Sequence, residues 1–240
     1  MKLFGLIAKY YDLFFTANHA DEARVVDSIV KRLKVKGKEL LDVGCASGSH
    51  LVAFKELGYV VSGLDNSEEM INMAKKKVKA DFYKVDMLRM NLKKEFNVIT
   101  ILSRALLFVD NKKELRTLIK KVRNHLAPGG VLVMDVDLHE GNFDPDLSTT
   151  KQVNDKKIQA SIVEEYDLRD DKILWCVNLS VKDGDKLTRL IDDQDFLLIN
   201  IRSLLRLMRE EGFRVSVYSM HGRKITSYKK GVIIAGKAYK

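Results

Sequence analysis

Between Glu39 and Val136 the chain alternates short, almost wholly apolar runs with stretches of helical period. That rhythm constrains the fold more than any other feature. Glu39–Val43, Tyr59–Leu64, Asp81–Val85, Phe96–Leu102 and Val131–Val136 read as strands. Helices are expected between them. One covers Ser49–Leu57 and is ended by Gly58. A second runs from about Asn66 to Val78, with capping-box spacing from Asn66 to Glu69. A third carries the stripe Leu115, Leu118, Ile119, Val122 and Leu126, starts at Asp110 or Asn111 and is ended by Pro128-Gly129-Gly130. Strands separated by helices build a parallel sheet covered on both faces, and continuous apolar runs are what doubly buried strands need. The expected fold is α/β, a doubly wound, seven-stranded, mostly parallel sheet.

The rhythm breaks after Asp137. From Leu138 to about Asp195 no helix is expected, and Ile158–Tyr166, Ile173–Val181 and Leu187–Ile191 read as strands. Arg169-Asp170-Asp171 and Asp183-Gly184 supply turns between them. This is an antiparallel β insertion after strand 5. A helix over Ser203–Glu211, closed by Gly212, leads to strands Arg214–Met220 and Gly231–Ala238. The short basic loop His221–Lys230 joins these two into a C-terminal antiparallel hairpin. A helical region over about residues 5–34 precedes the first strand. Residues 1–240 are read as a single domain, with 138–195 as an inserted subdomain.

Composition removes several classes. Cys45 and Cys176 are too few for a disulfide framework or a zinc site, so no metal is expected and a reducing, cytoplasmic setting fits. The apolar run Leu3–Ala8 is too short for a signal peptide, and no stretch is long enough to span a bilayer. The net charge of +9 keeps nucleic acid open as a partner. Its densest run, Lys75-Lys76-Lys77 with Lys79, reads as a solvated helix face.

The chemistry concentrates at Leu40–His50, Leu-Leu-Asp-Val-Gly-Cys-Ala-Ser-Gly-Ser-His. A buried strand end passes through a tight turn flanked by Gly44 and Gly48 into a helix. Such a turn allows close backbone approach to a ligand at a helix N-terminus. A dinucleotide site needs G-x-G-x-x-G, and Ala46 and Ser49 stand where its later glycines belong. The other candidate ligand is S-adenosylmethionine. At Asp42, Gly44 and Gly48 the chain resembles the class I (Rossmann-like) S-adenosylmethionine-dependent methyltransferases, whose first motif is D-x-G-x-G-x-G; Ala46 departs at the middle glycine. The resemblance implies that the turn with Gly44, Cys45, Ala46 and Gly48 lies under the amino-acid part and ribose of the cofactor. Cys45 also reads as a small buried filler. Asp65, followed by Asn66 at the end of the second strand, can accept hydrogen bonds from both ribose hydroxyls. The resemblance places Asp86 against the adenine amino group and the backbone N–H of Met87 against the ring.

Tyr10-Tyr11-Asp12-Leu13-Phe14 resembles the Y-D-x-x-Y/F start of small-molecule members of this family. That implies Tyr11 over the methionine end, where an aromatic face stabilises a sulfonium. The run Gly48-Ser49-His50-Leu51, the insertion and the length are similar to one subgroup, the N-methyltransferases of nucleotide-linked amino sugars and the glycine/sarcosine type. Where that subgroup often carries Ser-Ser or Asn-Ser after the fourth strand, this chain has Ser103-Arg104. Ser103 fits the cofactor site; Arg104 brings a positive charge that suits either an anionic acceptor or a salt bridge. The expected reaction is in-line attack of a small-molecule amine on the sulfonium methyl, with water excluded. No catalytic residue is singled out; His139, Tyr166 and His221 are candidate proton acceptors. The alternatives are methyl transfer to RNA or protein, an NAD(P)-binding oxidoreductase, and a non-catalytic nucleotide-binding protein. Ile101-Leu102-Ser103-Arg104 is unlike the Asn/Asp-Pro-Pro-Tyr/Phe motif of nucleic-acid amine methylation, and no Tyr-x-x-x-Lys pair is present. No membrane partner is expected, and the chain is read as a monomer or homodimer.

Overall fold

The first turn of an α-helix leaves backbone N–H groups without partners, and Asn18 supplies one where the N-terminal region becomes regular. Its side chain accepts from the Asp21 N–H at 3.2 Å. The computed structural model describes residues 8–15, 18–144, 146, 148–154, 158–170 and 172–239. A 3-10 turn, Ala8–Tyr10, leads into the short α1 (Tyr11–Phe14), and α2 (His19–Arg32) follows. The helical region expected over 5–34 is therefore divided; residues 5–7 and 16–17 lie outside the described residues.

The alternation then follows as β1 (Glu39–Val43), α3 (Ser49–Glu56), β2 (Val60–Asp65), α4 (Glu68–Lys77), β3 (Asp81–Lys84), β4 (Phe96–Ile101), α5 (Lys112–His125) and β5 (Leu126–Val136). Two boundaries differ from expectation. Ser67, not Asn66, caps α4, its hydroxyl accepting from the Met70 N–H at 3.3 Å. Pro128-Gly129-Gly130 does not end α5. The helix stops at His125, and the chain passes directly into β5, whose register with β4 slips between Phe96 and Val98. Proline and glycine are tolerated in a strand at such an irregularity.

The insertion is a second sheet of four strands: β6 (Ser148–Asn154), β7 (Ile158–Arg169), β8 (Lys172–Asp183) and β9 (Lys186–Leu197), each antiparallel to the next. Three strands were expected. β6 is mostly exposed and carries the single apolar residue Val153, so it has no strand signature. Of the turn expected at Arg169-Asp170-Asp171, Asp171 lies outside the described residues. The chain closes with α6 (Ile201–Glu210), β10 (Phe213–Ser219) and β11 (Val232–Ala238).

The main sheet has seven strands in the order β10-β11-β5-β4-β1-β2-β3. It is parallel except for β11, which lies antiparallel between β5 and β10. Leu41, Val43 and Ile101 of this sheet share one core with Ile162, Trp175 and Phe196 of the insertion. Burying a side chain of this size contributes about 1.5–3 kcal/mol. Phe196 joins the layers, stacked on Trp175 (centroids 5.3 Å apart) and edge-on to Phe108 at 5.0 Å. This roofs the ends of the parallel strands. No helix among the described residues is long and apolar enough to cross a membrane.

Candidate active site

In an open parallel sheet, strands on either side of a topological switch diverge at their C-terminal ends and leave a crevice. Here β1 lies between β4 and β2, and a crevice of about 930 Å³ opens beyond these strands. Gly44, Ala46, Asp65 and Asn66 line one side, with Asp86, Met87, Ser103 and Tyr11 around the rest. Gly44 has φ +77, and a Cβ there would lie 2.7 Å from Ala105 Cβ, so only glycine fits. Ala46 is also left-handed, at φ +44, and its N–H donates to Asp65 Oδ2 at 2.9 Å. Asp65 Oδ1 accepts from the Ser67 N–H at 2.9 Å. Burial raises the Asp65 pKa, opposed by the backbone N–H groups of Ser67, Ala46 and Asn66. Each carboxylate oxygen has a second lone pair, so two further donors can be accepted. Asp86 Oδ1 accepts from the Leu88 N–H at 2.7 Å, leaving Oδ2 for a ligand.

Three residues expected at the cofactor do not line this crevice. Asp42 is buried, its pKa raised by desolvation, and accepts from Thr100 Oγ1 at 2.7 Å, tying β1 to β4. Cys45 fills the space left by Gly63, where a Cβ would meet its Sγ at 2.8 Å. Burial pushes its thiol pKa up, which makes it unreactive. Gly48 has φ +79, and a Cβ there would stand 2.8 Å from Ala74 Cβ, so this glycine lets α3 and α4 approach.

A second cavity, of about 440 Å³, lies under the insertion. Tyr11, Ser103 and Phe108 line both, so the two cavities meet there. Phe14, Phe15, Trp175 and Phe196 give the second cavity aromatic walls, and Glu22, Asp135, Asp137 and Glu164 make it acidic. Its cations are paired. Arg104 donates from Nε to Asp137 Oδ2 at 2.7 Å and from a terminal nitrogen to the Tyr166 hydroxyl at 2.6 Å. Lys151 Nζ lies 3.7 Å from Glu164 Oε2. Trp175 Nε1 donates to Glu164 Oε1 at 3.1 Å. Of the two readings open for Arg104, the salt bridge is the one formed.

Of the candidate proton acceptors, Tyr166 lines this cavity, and burial raises its pKa. His139 and His221 do not. His139 is 1% exposed, with Nδ1 accepting from the Gly141 N–H and Nε2 bonded to the Lys230 carbonyl, each at 3.0 Å. Both ring nitrogens are spent on backbone. His221 is exposed and lines neither cavity. Sequence reasoning missed Glu22, Asp135, Asp137 and Glu164. For Asp135 and Asp137 a signal existed: two carboxylates two apart at the end of an otherwise apolar strand share one face.

The N-terminal segment is tied over the junction. Asp12 accepts from Ser47 Oγ at 2.6 Å and pairs with Lys77 Nζ at 2.6 Å. Lys77 also donates to Ser47 and Ser49 hydroxyls at 2.9 and 3.1 Å. Behind this latch, His50 Nε2 meets Glu22 Oε2 at 2.7 Å.

The chain has the fold of the class I S-adenosylmethionine-dependent methyltransferases, and residues 40–130 match the family described as methyltransferase domain. Among solved structures it is similar to the sugar N-methyltransferase KedS8 from Streptoalloteichus sp. ATCC 53650. The TM-score is 0.86 at 21% identity, over 96% of this chain and 93% of that one. It is also similar to Streptomyces venezuelae DesVI, at TM-score 0.85 and 24% identity, over 97% and 98% of the two chains. At these identities the likeness is one of fold. In sequence it is 32% identical over 133 residues to the dTDP-3-amino-3,4,6-trideoxy-alpha-D-glucopyranose N,N-dimethyltransferase of S. venezuelae, over 53% of this chain and 56% of that protein. The chain spans about half the length of the curated relatives it matches.

Proposed function

We propose that the protein transfers a methyl group from S-adenosylmethionine to the nitrogen of a small-molecule amine, of the amino-sugar class. One observation carries this reading: two cavities of different chemistry meet at Tyr11, Ser103 and Phe108. The larger fits the cofactor. Its wall has the glycine turn at Gly44 packed against Ala105, and Asp65 and Asp86 offer carboxylate oxygens where ribose and adenine donate. Bound there, S-adenosylmethionine supplies an electrophilic methyl on a sulfonium. The chain's own residues do the rest. Asp65 orients the sugar, and Tyr11 closes the junction and presents an aromatic ring beside a positive charge. The aromatic walls under the insertion exclude water and fix the line of approach.

The smaller cavity favours an amine. Its carboxylates attract a cation, and its own cations are already paired, which disfavours a polyanion such as RNA as acceptor. Relatives named as N,N-dimethyltransferases of dTDP-linked amino sugars support the acceptor class. We read residues 1–240 as one methyltransferase domain whose insertion, 138–195, covers the acceptor. The free thiols of Cys45 and Cys176 suit a reducing cytoplasm, where the chain works as a monomer or homodimer.

Thermal unfolding tests the cofactor. S-adenosylmethionine and S-adenosylhomocysteine should stabilise the protein, by about 2.7 kcal/mol at a hundredfold excess over Kd, and NAD should not. Stabilisation by NAD alone would overturn the reading. Labelled methyl transfer to dTDP-linked amino sugars tests the acceptor.

A further inference from the structure

We infer that Asp135 and Asp137 form a dedicated subsite for the protonated amine of the acceptor, held open by the backbone of Ser103 and the side chain of Arg104. The inference deepens the methyl-transfer reading and rests on it.

Asp135 is 8% exposed. Its Oδ2 accepts from the Ser103 N–H at 2.8 Å, while its Oδ1 is buried with no partner. Asp137 repeats the pattern. Its Oδ2 accepts from Arg104 Nε at 2.7 Å, and its Oδ1 is buried with no partner. Two consecutive residues thus each hold one oxygen of two carboxylates spaced two apart, and leave the other oxygen buried and unpartnered. Buried polar atoms are almost always satisfied, so two orphaned carboxylate oxygens on one cavity wall need a donor from outside the chain.

The backbone supports this. Ser103 and Arg104 both have left-handed φ, +52 and +66, though neither is glycine. Adjacent strained residues of this kind persist where a site requires them. The place also fits, because Ser103 lines both cavities and Asp135 and Asp137 line the smaller one next to it. A nitrogen held there sits beside the junction through which a methyl group must pass.

The charge selects the ligand. One guanidinium faces two carboxylates, so the pair carries a net negative charge until a cation arrives. A primary ammonium has three N–H donors and a secondary one has two, enough for the two oxygens; an alcohol has one and no charge. Other ionisable groups face the same cavity, and of these Glu22, with His50 behind it, acts on Asp135 through its field. Tyr11 comes from α1, His19 and Glu22 from α2 and His50 from α3, with Lys151, Glu164 and Tyr166 from the insertion. Burial first, then the field of Asp137, pushes the Asp135 pKa up to about 7. A carboxylate so placed holds the cation and then receives one of its protons on Oδ1. The nitrogen becomes a neutral amine with a free lone pair, and the acid becomes neutral.

The probe is cyclohexylamine, charged throughout the neutral range, with cyclohexanol as its uncharged counterpart. Both are titrated by calorimetry into the protein loaded with S-adenosylhomocysteine. The amine should bind at least about tenfold more tightly than the alcohol, and its binding should weaken as pH falls through about 7 and Asp135 protonates. Asp135→Asn, which keeps an acceptor for the Ser103 N–H, should lose both the preference and the acid limb, with S-adenosylhomocysteine affinity within about twofold of wild type. Asp137→Asn should reduce the preference and keep the limb. Equal binding of amine and alcohol by the wild type would overturn the subsite. So would a preference and acid limb that survive in Asp135→Asn. If Asp135→Asn fails to fold, the wild-type preference and the Asp137→Asn variant decide. Failure of S-adenosylhomocysteine itself to bind would overturn the methyl-transfer reading, and the subsite with it.

Discussion

Asp65 does two things with one carboxylate. It fixes the left-handed turn at Ala46 through one backbone N–H and caps the next turn through another, while the residue lines the crevice. Asp65→Ala should weaken S-adenosylhomocysteine binding by about 1.5–3 kcal/mol in calorimetry, the range for hydrogen bonds to a charged group. An unchanged Kd would remove Asp65 from the site. Gly48 has a different task. Gly48→Ala combines a strained φ with a clash against Ala74 and should destabilise the fold by about 1–3 kcal/mol in urea unfolding. Adding Ala74→Gly should relieve only part of the clash, since the Ala74 Cα stands 3.1 Å from the added Cβ, and leave the backbone strain. Gly44, Asp65 and Asp86 were legible because one turn and two strand ends place them at fixed distances along the chain. Glu22, Asp135, Asp137 and Glu164 were not, since they meet only after α2, β5 and the insertion fold together. Asp42, Cys45 and Gly48 sit in the same motif as Gly44 but do not line the crevice, which spacing alone does not reveal.

Caps and clasps set the elements. Asn111 Oδ1 accepts from the N–H groups of Lys113 and Glu114, both at 3.0 Å, and Glu114 reaches back to the Asp110 N–H at 2.8 Å. Asn111→Ala should cost about 1 kcal/mol, read as a lowered midpoint in denaturant unfolding. The His50–Glu22 clasp joins α3 to α2 and gives stability a pH dependence. Burial opposes the His50 charge, but the Glu22 hydrogen bond and the fields of Asp42, Glu22 and Asp135 outweigh it and raise its pKa above 6.5. The same hydrogen bond lowers Glu22 below 4.5, against burial. The clasp is therefore fully present between pH 4.5 and 6.5, and is lost as pH rises through the folded value of His50 or falls through that of Glu22. His50→Gln should lower stability by about 1–2 kcal/mol inside that window, discounted for the partial exposure of Glu22, and by less well above it. Most strands of the main sheet were readable because burial on both faces leaves continuous apolar runs. β6 was not, being an exposed edge, and Pro128-Gly129-Gly130 misled because the same residues that stop a helix also sit in an irregular strand.

At the scale of the molecule, the charge of +9 and the acidity of the inner cavity point in opposite directions. Lys75 and Lys76 are exposed on α4, while Lys77 is drawn into the latch with Asp12. Lys75 and Lys76 thus face solvent, while carboxylates outnumber cations along the inner cavity. The sequence disclosed the first fact and hid the second, because net charge counts residues and a cavity is lined by only a few of them.

Tyr11 belongs to both chambers, and Asp12 beside it anchors the segment that carries it. One door therefore serves two rooms. On the methyl-transfer reading proposed above, a wall shared in this way would release the acceptor together with the spent cofactor, so an amine that takes a second methyl group would leave and return. With excess acceptor, timed mass spectrometry should find the singly methylated compound free in solution ahead of the doubly methylated one.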